Sequence, residues 1–267
     1  MEDSNKLIKL TGNFDLPLTH ACTMGCSGCS YTDYKDMGNT ICNLMRFDDV
    51  KYIAHSIMDM NVKLRFLSFL GGEPTIHPEF DKIAEWLYQY KDVLFEKLVI
   101  HTNGTNLNKR FLDSVKYFDM IKMSLYPMNR PIKQEMIDSG MDEWIRNQDT
   151  HIWYKEIDEF EIYGEERDDL EYSKKLNWER CSYKWTCRVL TREGIYRCFV
   201  MYNNRVNVCD YSDRDKFIEY VMQEKDPMKP CKGCPMPPQT KKWESNTPER
   251  DRKSINHGIK LIRNFDK

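Results

Sequence analysis

Residues 19–30 read "THACTMGCSGCS" and place Cys22, Cys26 and Cys29 on one short loop with the spacing C-x3-C-x2-C. A closed tetrahedral metal site asks for four protein ligands, and this loop supplies three. Either a distant residue such as His20 completes a zinc site, or the fourth position is open to something that is not protein. The segment before the loop, "NFDLPLT" (13–19), reads as a strand, so the cysteines follow its C-terminal end.

Working outward, the chain alternates between two periods. "MRFDDVKYIAHSIMDM" carries Val50, Ile53, Ala54, Ile57 and Met58 on one helical face, with Asp48 or Asp49 placed to cap it. "KLRFLSFLGG" is a short apolar run closed by two glycines, as suits a buried strand. "EFDKIAEWLYQYKDVL" and "KRFLDSVKYF" read as helices, as do residues 130–146, while "KLVIHTNG", "DMIKMSLYP" and "THIWYKEI" read as strands. Strand and helix in this rhythm predict βαβ units and a parallel sheet, whose chemistry gathers at the C-terminal strand ends. GGEP (71–74), HTNGT (101–105) and SLYP (124–127) stand at those ends, a second sign of a site independent of the cysteines.

Bulk composition narrows the classes. Of 267 residues, 40% are hydrophobic and 31% charged, as in a globular protein, and a net charge of -2 gives no reason to expect nucleic acid as a partner. There is no apolar run long enough for a membrane helix and no signal-peptide core in "MEDSNKLIKL", which predicts a cytoplasmic protein with no membrane partner. The cytoplasm disfavours disulfides, so the ten cysteines point to metal ligands or catalytic thiols. Nine fall in two groups; Cys42 stands apart and reads as a small buried residue.

Cys22-x3-Cys26-x2-Cys29 after a first strand, with Gly71-Gly72-Glu73-Pro74 after the second, resembles the radical SAM superfamily over roughly the first 160 residues. The resemblance implies a partial (β/α) TIM-like barrel of about five to six parallel strands. It implies a [4Fe–4S] cluster on Cys22, Cys26 and Cys29 whose open iron binds S-adenosylmethionine (SAM). Gly71, Gly72 and Glu73 would receive the methionine amino group, with Asn103 and Ser124 as candidates for the ribose and carboxylate. In place of the aromatic residue usual before the third cysteine stands Gly28, so Tyr31 is the substitute expected against the adenine. Gly25 and Gly28 are expected to let the loop curl around the cluster.

The second group is Cys181, Cys187, Cys198, Cys209, Cys231 and Cys234. Cys181, Gly194 and Cys198, followed by "CKGC", resemble the twitch form of the SPASM domain. That implies an auxiliary [4Fe–4S] cluster on Cys181, Cys198, Cys231 and Cys234, with Cys187 as alternate first ligand and Cys209 unassigned. A zinc ribbon is the competing reading of the spacing. The domain expectation is a radical SAM barrel at 1–160, the cysteine-rich domain at 161–240 and a tail at 241–267 that wraps the body or stays mobile.

Functionally, the resemblance implies reductive cleavage of SAM to a 5'-deoxyadenosyl radical and hydrogen abstraction from a small substrate. The finer likeness is to aminocyclitol alcohol dehydrogenases, hence oxidation of a sugar-like alcohol with a flavodoxin- or ferredoxin-type electron donor. Tyr126, Lys155 and Glu156 near strand ends are candidates to face the substrate. The alternatives are a peptide maturase, disfavoured because only about twenty residues precede Cys22, a sugar epimerase, and a zinc or iron–sulfur module without catalysis.

Overall fold

The computed structural model describes residues 6–29, 44–162, 181, 187–198, 202, 208–222 and 239–265. The first half alternates as expected: β1 (Ile8–Thr19), α1 (Phe47–Asp59), β2 (Val62–Gly71), α2 (Phe80–Tyr88), β3 (Phe95–Thr102), α3 (Lys109–Ser114), β4 (Met120–Leu125), α4 (Pro131–Asp138), α5 (Met141–Arg146) and β5 (His151–Glu156). After these come β6 (Glu159–Ile162), β7 (Cys187–Thr191), β8 (Gly194–Tyr196), α6 (Arg214–Met222), β9 (Gln239–Lys242) and α7 (Pro248–Ile262).

Seven strands form one sheet in the order β5-β4-β3-β2-β1-β7-β8. The first six are parallel and β8 returns antiparallel, giving the partial barrel expected, with six parallel strands. The sixth comes from an unexpected place. Strand β7 begins at Cys187 and pairs with β1, so this part of the cysteine-rich segment continues the barrel sheet. A separate two-stranded sheet joins β6 to β9.

Side chains alternate across a strand, and residues paired in register share a face. One row is Leu16, Phe69, Ile100, Ile121 and Ile152 from five adjacent strands, all buried. The helices cover this outer face: Phe80 of α2 meets Phe69 at 6.0 Å and stacks on Phe118 at 5.8 Å. The α1 stripe is as read, with Val50, Ile53, Ala54 and Ile57 buried and Met58 half-buried. Its cap differs in detail, because Arg46 holds the N-cap position and Asp49 reaches back to accept the Arg46 N–H. Residues 130–146 form two helices, split at Gly140, whose φ of +78° is open to glycine at no steric cost. Among the described residues no helix is long and apolar enough to cross a membrane.

Candidate active site

The cysteine loop and GGEP are fitted against each other by backbone. Gly72 N–H donates to Thr19 O at 2.6 Å and Glu73 N–H to Ala21 O at 2.9 Å. A Cβ on Gly71 or Gly72 would lie 2.1 Å from the carbonyl oxygen of Thr19 or Ala21 respectively, and Gly71 has a φ of +125°. Both glycines are therefore demanded by the close approach of the cysteine loop, with or without a ligand.

Glu73 is fully buried and its carboxylate is committed within the chain. Oε1 accepts from Thr75 N–H, Thr75 Oγ1 and Thr102 Oγ1 at 3.2, 2.8 and 2.8 Å, and Oε2 accepts Asn103 N–H at 2.7 Å. Burial pushes its pKa up while these donors hold it down. The carboxylate thus braces Asn103 to the end of β2. Asn103 in turn faces the cysteine loop: Nδ2 lies 3.6 Å from Cys22 Sγ and 3.1 Å from Thr23 Oγ1, and Oδ1 accepts from Thr105. Ser124 O accepts from Asn129 Nδ2 at 3.0 Å, and the Ser124 hydroxyl lies beside Tyr126.

Cys26 is buried, and Cys22 and Cys29 are half-buried. Burial, with Glu73 adding to it, pushes the Cys22 thiol up to about 12, and burial does the same for Cys26. Left to themselves these thiols stay neutral, unlike catalytic thiolates; a bound cation would be needed to ionise them. Among the described residues no three Cys, His, Asp or Glu side chains form a group that would hold a single ion. A zinc ion with Zn–S bonds of about 2.3 Å would draw its thiolates to about 4 Å of each other, whereas a cubane takes each thiolate on a different iron. His20, the distant zinc ligand considered, is hydrogen-bonded through Nε2 to Tyr202 Oη at 2.8 Å. Trp243 Nε1 is buried beside Cys26, with its N–H toward the Cys26 sulfur, a donor that would favour the thiolate form. The residues present fit a [4Fe–4S] cluster.

Tyr126 joins this site. Its ring stacks on Trp243 at 5.7 Å, and burial together with Cys26, Cys29 and Cys22 pushes its phenol well above the ordinary range. Glu156 turns the other way, toward Arg130 and Lys133 at 3.8 and 3.6 Å. Lys155 shares the inner face with Ser124, its register partner. Tyr31, Cys42, Cys231 and Cys234 lie outside the described residues. Cys198 packs on Val189, Tyr196 and Tyr202, the same cluster that Cys29 touches. Cys181 is half-buried. Cys209 pairs by backbone with Ile195 and closes over Gly194, whose Cβ would lie 2.1 Å from Cys209 O.

The inner face holds a polar array of which the sequence reading had only Lys155 and, within HTNGT, His101. Asp15 and Ser68 are register partners, as are His101 and Lys122, and Lys122 and Trp153. Asp15 is 7% exposed and Ser68 wholly buried. Burial raises Asp15 to about 7, against the opposing pull of Lys122 and the nearby Ser68 hydroxyl. Burial, aided by Lys122 and Lys155, lowers His101 to about 3, so its ring is neutral. The Ser68 hydroxyl is buried against Asp15, and His101 Nε2 is buried and completes no hydrogen bond among the described residues. Lys122 Nζ lies 5.6 Å over the ring of Trp153, which is 47% exposed. Polar residues on strands otherwise apolar, such as Asp15 in "NFDLPL" and Ser68 in "FLSFL", were the available signal. A groove of about 980 Å³, bounded by Leu112, Trp144, His257 and Phe265, belongs to the helical layer instead.

Residues 16–147 match the Radical SAM superfamily. No curated protein sequence matches the chain. Among solved structures the chain is similar to BtrN in complex with AdoMet and 2-DOIA, with a TM-score of 0.57 at 16% identity over 85% of this chain and 94% of that one. It is also similar to Streptococcus suis SuiB bound to precursor peptide SuiA, with a TM-score of 0.51 at 13% identity over 84% of this chain and 70% of that one. At these identities the likeness is one of fold.

Proposed function

We propose that this chain works as the radical SAM superfamily matched by residues 16–147 works, with a [4Fe–4S] cluster and SAM, and that it oxidises a hydroxylated, sugar-like small molecule by two electrons. Cys22, Cys26 and Cys29 would hold the cluster, with Gly71, Gly72, Glu73, Asn103 and Ser124 at the strand ends beside SAM. When bound, cluster and SAM supply a 5'-deoxyadenosyl radical that takes a hydrogen atom from carbon.

The observation that carries the substrate class is the inner face. A polyol ring offers alternating hydrogen-bond donors and acceptors and an apolar C–H face. The chain offers a carboxylate at Asp15, a hydroxyl at Ser68, a neutral imidazole at His101, an ammonium at Lys122 and a half-exposed indole at Trp153. His101 Nε2, buried with no partner among the described residues, would be satisfied by a ligand hydroxyl. BtrN, of the same fold, holds AdoMet together with 2-DOIA.

Once carbon has lost a hydrogen atom, making a ketone requires loss of the hydroxyl proton and one electron. Asp15, whose pKa lies at about 7, is suited to take that proton near neutral pH. The electron would pass to an auxiliary [4Fe–4S] cluster on Cys181, Cys198, Cys231 and Cys234. The contact of Cys198 and Cys29 with one aromatic cluster supports their proximity. A fully ligated cluster has no free iron for substrate, so electron acceptance suits it better than ligation. A flavodoxin- or ferredoxin-type donor would reduce the first cluster.

The test is anaerobic turnover with SAM and reductant against a panel of aminocyclitols and nucleotide sugars. Loss of two hydrogens with one SAM consumed per turnover supports oxidation. A product of unchanged mass carrying solvent deuterium at carbon would mean epimerisation and defeat it.

A further inference from the structure

The segment expected as a tail is built into the cysteine loop. Ser27 N–H donates to Glu244 O at 2.8 Å, Asn246 N–H donates to Gly25 O at 2.7 Å, and Cys26 forms an antiparallel bridge with Ser245. From there the chain turns into α7, with Thr247 at its N-cap and Pro248 at its first position. One turn into that helix, Asp251 is wholly buried. Its two oxygens accept Gly25 N–H at 3.0 and 3.2 Å, Ser245 Oγ at 2.6 Å and Thr247 Oγ1 at 2.9 Å. Arg250 Nε stands 3.8 Å away.

We propose that Asp251 is a positioning residue for the iron–sulfur cluster: it ties the C-terminal segment to Gly25 and so fixes the backbone that presents Cys26. The inference rests on the cluster assignment above and extends it to a segment outside the residues that match the superfamily. A carboxylate beside three cysteines that must ionise is electrostatically unfavourable there. Its contribution is therefore geometric. It gathers one backbone donor from the loop and two hydroxyls from the C-terminal segment on a single group, which none of those donors does for another. Gly25 is the counterpart. A Cβ there would lie 2.2 Å from Thr247 Oγ1 and 2.9 Å from Arg250 Nη2, so the small residue is required by the docked segment. Curling of the loop around a cluster, the reason expected from the sequence, is not needed to explain it.

Removing the acceptor leaves the buried Gly25 N–H unpaired, which favours an opened loop by a factor of roughly ten. The experiment uses the full chain, reconstituted anaerobically with iron and sulfide. It reads iron retained per chain, the rate of iron loss to a chelator, and the electron paramagnetic resonance spectrum of the reduced cluster with and without SAM. Asp251→Leu is expected to lose iron from the first cluster roughly tenfold faster and to weaken the SAM-induced spectral change, while Asp251→Asn, which keeps an acceptor for Gly25, stays near wild type. If Asp251→Leu fails to fold by circular dichroism, the decision passes to Gly25→Ala, approached from the other side. Gly25→Ala should lose iron, and Gly25→Ala with Thr247→Ala should regain part of it, because the second change removes the clashing oxygen. Wild-type retention and spectra in both Asp251→Leu and Gly25→Ala would overturn the proposal. A wild-type chain that takes up no cluster would instead overturn the assignment beneath it.

Discussion

The two faces of the sheet are made by the same strands and follow opposite rules. On the outer face every register position from Leu16 to Ile152 is apolar, buried and matched to a helix. On the inner face Asp15 is the register partner of Ser68 and His101 that of Lys122, and the buried His101 Nε2 completes no hydrogen bond among the described residues. An outer-face residue is explained by packing alone. An inner-face residue is costly to the fold, since an unsatisfied buried polar group costs about 1–3 kcal/mol. What the difference teaches is that stability and chemistry are separated by the two-residue period of a strand.

The largest expected effect lies on the outer face. Phe80→Ala removes a ring stacked on Phe111 and Phe118 and in contact with Phe69, and should cost roughly 3–5 kcal/mol in denaturant unfolding of the apoprotein. A loss under about 1 kcal/mol would mean that the faces are not divided as described.

Next comes the pH dependence of the inner face, where two groups oppose each other. The folded pKa of Asp15 is raised, so its contribution is present at low pH and is lost as pH rises toward about 7. The folded pKa of His101 is depressed to about 3, so its contribution is present above the ordinary imidazole value and is lost as pH falls. Between pH 4.5 and 6 the two slopes have opposite sign and nearly cancel in the wild type. Asp15→Asn should uncover the imidazole slope, about 2 kcal/mol less stable at pH 4.5 than at pH 6 relative to wild type; His101→Gln should show the reverse. Parallel stability curves for all three proteins would refute the burial assigned to both groups.

The smallest effects belong to charges outside either face. Lys109 and Asp113 sit 3.0 Å apart on exposed α3, and Lys109→Ala should change stability by no more than about 0.5 kcal/mol. Trp153→Ala should likewise change stability little, since the indole is 47% exposed, yet raise the KM of a hydroxylated substrate. A large fall in stability with unchanged KM would move Trp153 from the binding face to the core.

The strand and helix rhythm was legible because each element carries its own period, and the α1 stripe and the β2 run were read nearly residue by residue. The cysteine loop and GGEP were legible because each is contiguous. Tyr126 was a weak guess from a strand end, and stacking on Trp243, 117 residues later, is what brings it to the cysteines. Glu156, at the next strand end, looked equivalent, but one residue of register sends it to Arg130 and Lys133. Glu73 was read as a ligand-binding carboxylate, and its bonds to Thr75, Thr102 and Asn103 depend on strand placement that the sequence does not display.

The sequence by itself determined which segments form strands, that GGEP, HTNGT and SLYP stand at their C-terminal ends, and that three thiols share a loop, because those signals repeat over a few adjacent residues. The tertiary structure alone decided that Asp15, Ser68, His101 and Lys122 form one array, that Cys187 opens a strand of the main sheet, and that Asp251 grips Gly25. Each of these depends on register or docking between residues far apart in the chain. Contacts of that kind leave no period in the sequence, since the partners are fixed only when the hydrophobic face of each strand has chosen its side.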